Sequence, residues 1–363
     1  MIKIVTIVGA RPQLIKAAAI SRAIRSEFAD RVTEVLVHTG QHYDENMSKV
    51  FFDELDIPHP KYNLEISGGQ HGAMTGRMLE AVECVLLEEM PDWVLIYGDT
   101  NSTLAGALAA VKIHIPVAHV EAGLRSFNMR MPEEVNRIVA DRVSRLLFCP
   151  TDIAVRNLAR EGVTHGVHNV GDVMFDVSLY YRDVARQYSN AMQRFSLAEG
   201  GYVLTTCHRQ ENTDDPARLK AILGALGDVA ERMPLLLPLH PRTRNIIAQR
   251  GLADVLGKAT LVEPLSYMDM VRLEQSARVI LTDSGGVQKE AFFYQVPCVT
   301  MRDETEWTET VDLGWNQLVG ADRSLIVDAV LGAARPAGTG ARPYGNGKAS
   351  KAIIEELLRQ REF

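Results

Sequence analysis

The chain has 363 residues, 46% hydrophobic and 23% charged, with a formal net charge of -7. This is a soluble globular composition, long enough for two domains of roughly 150–200 residues each. No basic run favours a nucleic-acid partner, no apolar stretch reaches the ~20 residues of a membrane span, and no charged leader precedes the apolar Ile2–Val8, so a cytoplasmic protein is expected. Cys84, Cys149, Cys207 and Cys298 are far apart, lack metal-ligand spacing and read as free buried thiols.

In chain order, Ile2–Val8, Val32–His38, Trp93–Tyr97, Val117–Val120 and Leu146–Cys149 are short, β-branched, nearly continuous apolar runs. Helical patterns such as Leu14–Ile24, Gly76–Glu89 and Thr103–Val111 separate them. That alternation predicts βαβ units and a parallel sheet covered on both faces. A second series follows Gly171-Asp172: Tyr202–Cys207, Leu235–Leu239, Leu261–Glu263, Val279–Thr282 and Cys298–Met301. The expected class is therefore α/β, with two doubly wound domains and a boundary near residue 171. Residues 331–347 are rich in Gly and Pro, and Ser350–Arg359 then sets Ile353, Ile354, Leu357 and Leu358 on one helical face. Such a final helix is placed to cross back, giving a first domain of 1–171 plus 349–363 and a second of 172–348.

Two strands end in carboxylates: Val94–Tyr97 runs into Gly98-Asp99-Thr100, and Val117–Val120 into Glu121. In open parallel sheets, ligands bind outside the carboxyl ends of the strands, so Asp99 and Glu121 are expected to face one crevice. Acids clustered at a cleft are candidates for proton transfer. Downstream, Glu133 and Arg137 share one face of the helix beginning at Pro132, as a surface ion pair or as part of that acid cluster.

The turn Gly9-Ala10-Arg11-Pro12 lies between the first strand and a helix containing Lys16. Such a turn presents N–H groups to an anion, and Arg11 and Lys16 are either ligand groups or solvated charges. It lacks the spacing of a dinucleotide fingerprint or a P-loop, so NAD and ATP are not indicated. In the second half, Asp283-Ser284-Gly285-Gly286 leads into a helix bearing Glu290. The loop suits a diphosphate, with Glu290 placed to accept from ribose hydroxyls; otherwise it is a tight turn with a Ser N-cap. His208, after the first strand of this half, reads as a phosphate ligand, an acid/base group or a structural histidine, and His240 sits equivalently after the next strand. No His-Glu-x-x-His or carboxylate triplet points to a required metal.

Together Gly98–Ser102, His119–Arg125, Pro132–Arg137 and Asp283–Glu290 resemble the non-hydrolysing UDP-N-acetylglucosamine 2-epimerases, over nearly the whole chain. The resemblance implies the two-domain architecture of the B-type glycosyltransferases, a nucleotide sugar held between the domains, and a homodimer. It implies inversion at C2 without a cofactor: the C2 proton and UDP leave, a 2-acetamidoglucal forms, and UDP re-adds as a proton arrives on the opposite face. It makes Asp99, Glu121 and Glu133 the catalytic carboxylates and places His208 against the departing UDP. Arg11, Ser284, Gly285, Gly286 and Glu290 then hold UDP, with Lys16 and Arg137 in support. The pathway implied is bacterial surface polysaccharide synthesis. A glycosyltransferase on the same fold is the competing reading, since fold alone does not fix function.

Three departures bear on substrate. The loop Arg125–Met131 is shorter than in enzymes acting on UDP-N-acetylglucosamine, Trp307 stands where they carry Arg, and Tyr43 follows Gln41-His42 where Arg is common. Gln41 and His42 belong to a region where some members bind a second, activating UDP-N-acetylglucosamine. The short loop, Trp307 and His240–Arg244 look more like the branch acting on UDP-2,3-diacetamido-2,3-dideoxyglucuronate. Arg130, Arg242 and Arg244 are the candidate partners of that sugar's carboxylate.

Overall fold

The computed structural model describes residues 1–40, 58–337 and 340–360, so Gln41 and His42 lie outside the described residues. The chain divides into two compact units, Met1–Val177 with Arg342–Phe363, and Ser178–Ala341.

In the first unit, strands β1 (Ile2–Val8), β2 (Val32–His38), β3 (Tyr62–Asn63), β4 (Trp93–Tyr97), β5 (Val117–Val120), β6 (Leu146–Cys149) and β7 (Val167–Asn169) form one parallel sheet. Its order is β3-β2-β1-β4-β5-β6-β7. The chain winds outward from β1 to β3 and returns to β4 on the other side, so the winding reverses between β1 and β4. Every residue of β4 is buried, as a continuous apolar run covered on both faces requires. The helix Asn101–Lys112 that follows β4 starts on Thr100, whose hydroxyl accepts from Thr103 N at 3.3 Å.

The final helix, Ala349–Arg359, belongs to this unit. Asp176 accepts from Ala349 N at 3.1 Å and Ser350 N at 2.7 Å, fixing its first turn. Ile353, Ile354 and Leu357 are buried, and Lys351 pairs with Glu27 of the Arg11–Glu27 helix at 2.5 Å.

In the second unit, β8 (Val203–Thr206), β9 (Leu235–Pro238), β10 (Thr260–Val262), β11 (Val279–Thr282), β12 (Cys298–Thr300) and β13 (Asn316–Leu318) form a parallel sheet in the order β10-β9-β8-β11-β12-β13. Its winding reverses between β8 and β11. Leu219, Ile222, Leu226, Leu237, Leu281 and Ile326 belong to the core cluster of this unit. All four cysteines are free, but Cys84 is exposed rather than buried, because it sits on the solvent side of the His71–Glu89 helix. Among the described residues no helix is long and apolar enough to cross a membrane.

Candidate active site

In the first unit the pairing of Tyr97 with Val120 brings β4 and β5 out of the sheet side by side. Asp99 and Glu121 therefore emerge as neighbours, next to the point where the winding reverses. Gly98 N donates to Val120 O at 3.0 Å. Gly98 has φ +59, and a Cβ there would lie 3.3 Å from Glu121 Oε2. Glu121 itself has φ +72, a left-handed conformation that costs a non-glycine residue about 1–3 kcal/mol. It is held because Glu121 N and Ala122 N both donate to Phe148 O at 3.1 Å.

Each acid has its own cation. Lys16, almost wholly buried, forms an ion pair with Glu121. Arg137 pairs with Asp99 through Nη2 and with Glu134 through Nη1 at 2.9 Å. Burial pushes the Asp99 carboxyl above its ordinary range; the Arg137 charge opposes this and the Glu121 charge adds to it. Asn136 Nδ2 donates to Asp99 O at 2.9 Å and fixes the main chain beneath the acid. Glu133 is exposed, and Arg137 pairs with Glu134 and Asp99 rather than with it, which removes the surface ion pair as one of the two readings of the i, i+4 spacing. Glu134 is drawn the other way because it also accepts from Ser126 N, Ser126 Oγ and Phe127 N, each at 2.9 Å. Burial acts to raise its carboxyl, but these donors and Arg137 hold it below its ordinary range. Glu134 thereby sets the Arg125–Met131 loop, in which Phe127 takes φ +57 and Arg130 is exposed.

The first strand-to-helix turn is tied to the Asp99 turn by Gln13. Its Oε1 accepts from Gly9 N at 2.8 Å, and its Nε2 donates to Tyr97 O at 2.7 Å and Thr100 Oγ1 at 2.9 Å. Lys16 is thus presented from a fixed helix, whereas Arg11 on the same helix is exposed. Below Glu121, buried Asp141 accepts from Gly123 N at 3.1 Å and Arg125 Nη1 at 2.7 Å and faces His119 Nδ1 at 2.7 Å. Burial acts to raise Asp141, yet His119 and Arg125 hold it below the usual carboxylate range.

In the second unit the site is organised by Asp283, fully buried at the end of β11. It accepts from His208 N and Arg209 N at 3.0 Å and from Asn212 Nδ2 at 3.2 Å, which binds the loop after β8 to the loop after β11. The His208 ring remains half-exposed, with Nδ1 3.4 Å from Asp283 Oδ1. Ser284 is the N-cap of the helix Gly285–Phe293, but its side chain does not cap it; its N–H donates to Thr282 Oγ1 at 2.9 Å. The N–H groups of this turn and the helix dipole suit an anion. A Cβ on Gly285 would lie 2.5 Å from Glu306 Oε1 and 3.2 Å from Trp307 Nε1, so any larger residue there would have to displace the Glu306 carboxylate and crowd Trp307. Trp307 is buried, with Lys289 Nζ 4.1 Å from its ring centre. Glu290 follows Lys289, and burial together with the Glu290 charge pushes buried Glu274 well above the usual carboxylate range. Arg242 and Arg244 pair with Asp214 at 2.6 Å and Glu263 at 2.8 Å. Gln13, Glu134, Asn136, Asp141 and Asp283 were not among the sequence candidates, yet each positions one of them.

The family model for UDP-N-acetylglucosamine 2-epimerase matches residues 25–358. The chain belongs to the UDP-N-acetylglucosamine 2-epimerase family. It is an isomerase of that family. It is 52% identical to the UDP-2,3-diacetamido-2,3-dideoxy-D-glucuronate 2-epimerase of Pseudomonas aeruginosa, covering 98% of this chain and 99% of that one. It is 44% identical to the UDP-N-acetylglucosamine 2-epimerase of Methanocaldococcus jannaschii, with 98% of each chain covered. Among solved structures, the M. jannaschii UDP-GlcNAc 2-epimerase in complex with UDP-GlcNAc and UDP superposes with a TM-score of 0.85 at 43% identity, covering 98% of this chain and 99% of that one. The two-sheet α/β architecture is therefore that of the UDP-N-acetylglucosamine 2-epimerase family.

Proposed function

We propose that this epimerase inverts C2 of a UDP-linked 2-acetamido sugar, and that its substrate is UDP-2,3-diacetamido-2,3-dideoxyglucuronate. The observation that carries the reaction is the pair Asp99 and Glu121, side by side at adjacent strand ends with a separate cation on each. The C2 proton is weakly acidic, so its removal must be coupled to departure of the group at C1. A carboxylate takes the C2 proton, the C1–O electron pair leaves with the UDP phosphate, and a C1=C2 double bond forms. In the return step UDP oxygen adds at C1 and a second acid delivers a proton to the other face of C2. Asp99, Glu121 and Glu133 supply these groups, and Lys16 and Arg137 balance the charge of the first two. Ser284, Gly285, Gly286 and Glu290 hold UDP, with Arg11 in support, and His208 stabilises the phosphate as it leaves.

The choice of sugar is supported by the 52% identity to the P. aeruginosa diacetamido-glucuronate enzyme, by the short Arg125–Met131 loop and by buried Trp307. Arg130 lies on that loop, is exposed and forms no ion pair with a described residue, whereas Arg242 and Arg244 already have carboxylate partners. We therefore assign Arg130 to the sugar carboxylate. The reading extends to a cytoplasmic homodimer serving surface polysaccharide synthesis. The test is an NMR assay in heavy water with each candidate UDP sugar separately. Deuterium at C2 of the diacetamido-uronate pair is expected; epimerised product without label excludes the reaction, and turnover confined to UDP-N-acetylglucosamine excludes the substrate.

A further inference from the structure

His119 lies on β5 with its side chain fully buried. Its Nδ1 is 2.7 Å from Asp141 Oδ1 and its Nε2 is 2.7 Å from Gly98 O. A main-chain carbonyl only accepts. Asp141 is also an acceptor, since its other oxygen takes Gly123 N and Arg125 Nη1. Both ring nitrogens therefore face acceptors, and the partners assign a proton to each. Arg125 is in turn clamped by the partly exposed Glu161 through Nε at 2.7 Å and Nη2 at 2.8 Å, so the set His119, Asp141, Arg125 and Glu161 balances two positive charges with two negative ones.

The three anchoring points of this network bracket the two acids. Gly98 O is the carbonyl immediately before Asp99, His119 is two residues before Glu121, and Gly123 N is two residues after it. Both turns are in left-handed conformations, Gly98 at φ +59 and Glu121 at φ +72. Such residues persist only where their surroundings over-determine them.

We propose that His119 is a positioning residue for the epimerase reaction: a buried imidazolium whose two N–H groups hold the Asp99 turn and the Glu121 turn in register. The proposal rests on the reading that these two acids serve C2. His119 touches neither the substrate nor the acids' carboxylates; it acts through Gly98 and Asp141.

The first arm needs no substrate. Protein labelled with 15N-histidine is examined near neutral pH, with His119→Gln identifying the resonance among the ten histidines. Both His119 ring nitrogens are expected in the protonated range, each with a slowly exchanging N–H. A ring with one bare nitrogen overturns the proposal, whatever the reaction proves to be. The second arm is kinetic, scored per UDP-binding site so that any misfolded fraction drops out. His119→Asn retains a donor toward Asp141 and loses the one to Gly98, while His119→Gln retains the donor toward Gly98. His119→Asn is expected to lower kcat about 10²-fold, as small misplacements of reacting groups do, with KM unchanged and with partial recovery in His119→Gln. Wild-type kcat in His119→Asn, or an equal loss in KM, sinks the proposal. If wild type shows no C2 exchange on any UDP sugar while both nitrogens are protonated, the reaction reading fails and the imidazolium stands.

Discussion

Nη2 of Arg137 donates to the carboxylate of Asp99, so the charge that steadies this acid comes from the helix that also carries Glu133. Burial and the Glu121 charge push Asp99 up, and Arg137 is the principal opposing charge. Arg137→Met removes that charge and leaves Lys16 as the next cation opposing the push. The limb of the kcat/KM profile that reports Asp99 should then move to higher pH. The measurement is the C2 exchange rate across pH for both proteins, and an unmoved limb means that another group titrates there.

Asp99→Asn and Glu121→Gln keep the size of each side chain and remove its ability to take a proton. Each should slow C2 exchange by about 10²–10⁴-fold, the usual worth of a positioned acid or base. UDP affinity, read by calorimetry, should stay near wild type, because the proposed UDP-holding loop lies in the second unit. Exchange within tenfold of wild type in both variants contradicts the assignment.

The central strands were legible because β1, β4, β5 and β11 are short, nearly continuous apolar runs, as strands of a sheet covered on both faces are. Three of the four edge strands, Tyr62–Asn63, Val167–Asn169 and Asn316–Leu318, were not. They have two or three residues, carry polar side chains and pair on one side only, so no period-2 or apolar signal forms. At the site, the rule that ligands gather at strand carboxyl ends was enough to find Asp99, Glu121, His208 and Ser284 as candidates. The residues that aim them were hidden for a physical reason: their partners are main-chain groups distant in sequence. Asp283 binds the N–H of His208 from 75 residues away, and Asn136 binds the carbonyl of Asp99 from 37. Glu134 shows the same limit locally. Spacing favoured Glu133 as the partner of Arg137, but the Ser126 and Phe127 N–H groups that select Glu134 are a tertiary feature.

Gly98→Ala tests how closely the two acids are fitted. The added methyl would stand 3.3 Å from Glu121 Oε2 and 3.8 Å from Lys16 Nζ, on a backbone at φ +59. The left-handed conformation should cost about 1–2 kcal/mol of stability. The crowded Glu121 should lose kcat by about tenfold or more, since a misplacement of 1 Å costs about 10²-fold. Thermal unfolding and C2 exchange, measured on one preparation, separate the two effects; unchanged kcat at reduced stability would show that the Gly98–Glu121 contact has no part in turnover.

Asp141→Asn tests the buried network under the site through its pH dependence. Burial raises the carboxyl of Asp141, but His119 and Arg125 outweigh it and hold it below its unfolded value. A depressed folded value means that the carboxylate's contribution is fully present above the unfolded value near 3.9 and is lost as pH falls through the folded one. The variant leaves His119 and Arg125 buried beside a neutral amide, so at pH 7 it should be less stable by about 3–5 kcal/mol. Below about pH 4 the wild-type aspartate protonates in the unfolded chain first and then in the fold, and the gap between the two proteins should close. Urea unfolding of both proteins from pH 7 downward measures this gap directly. A gap that stays constant with pH would assign the loss to packing rather than to charge, and no gap at pH 7 would remove Asp141 from the forces that hold the Glu121 turn.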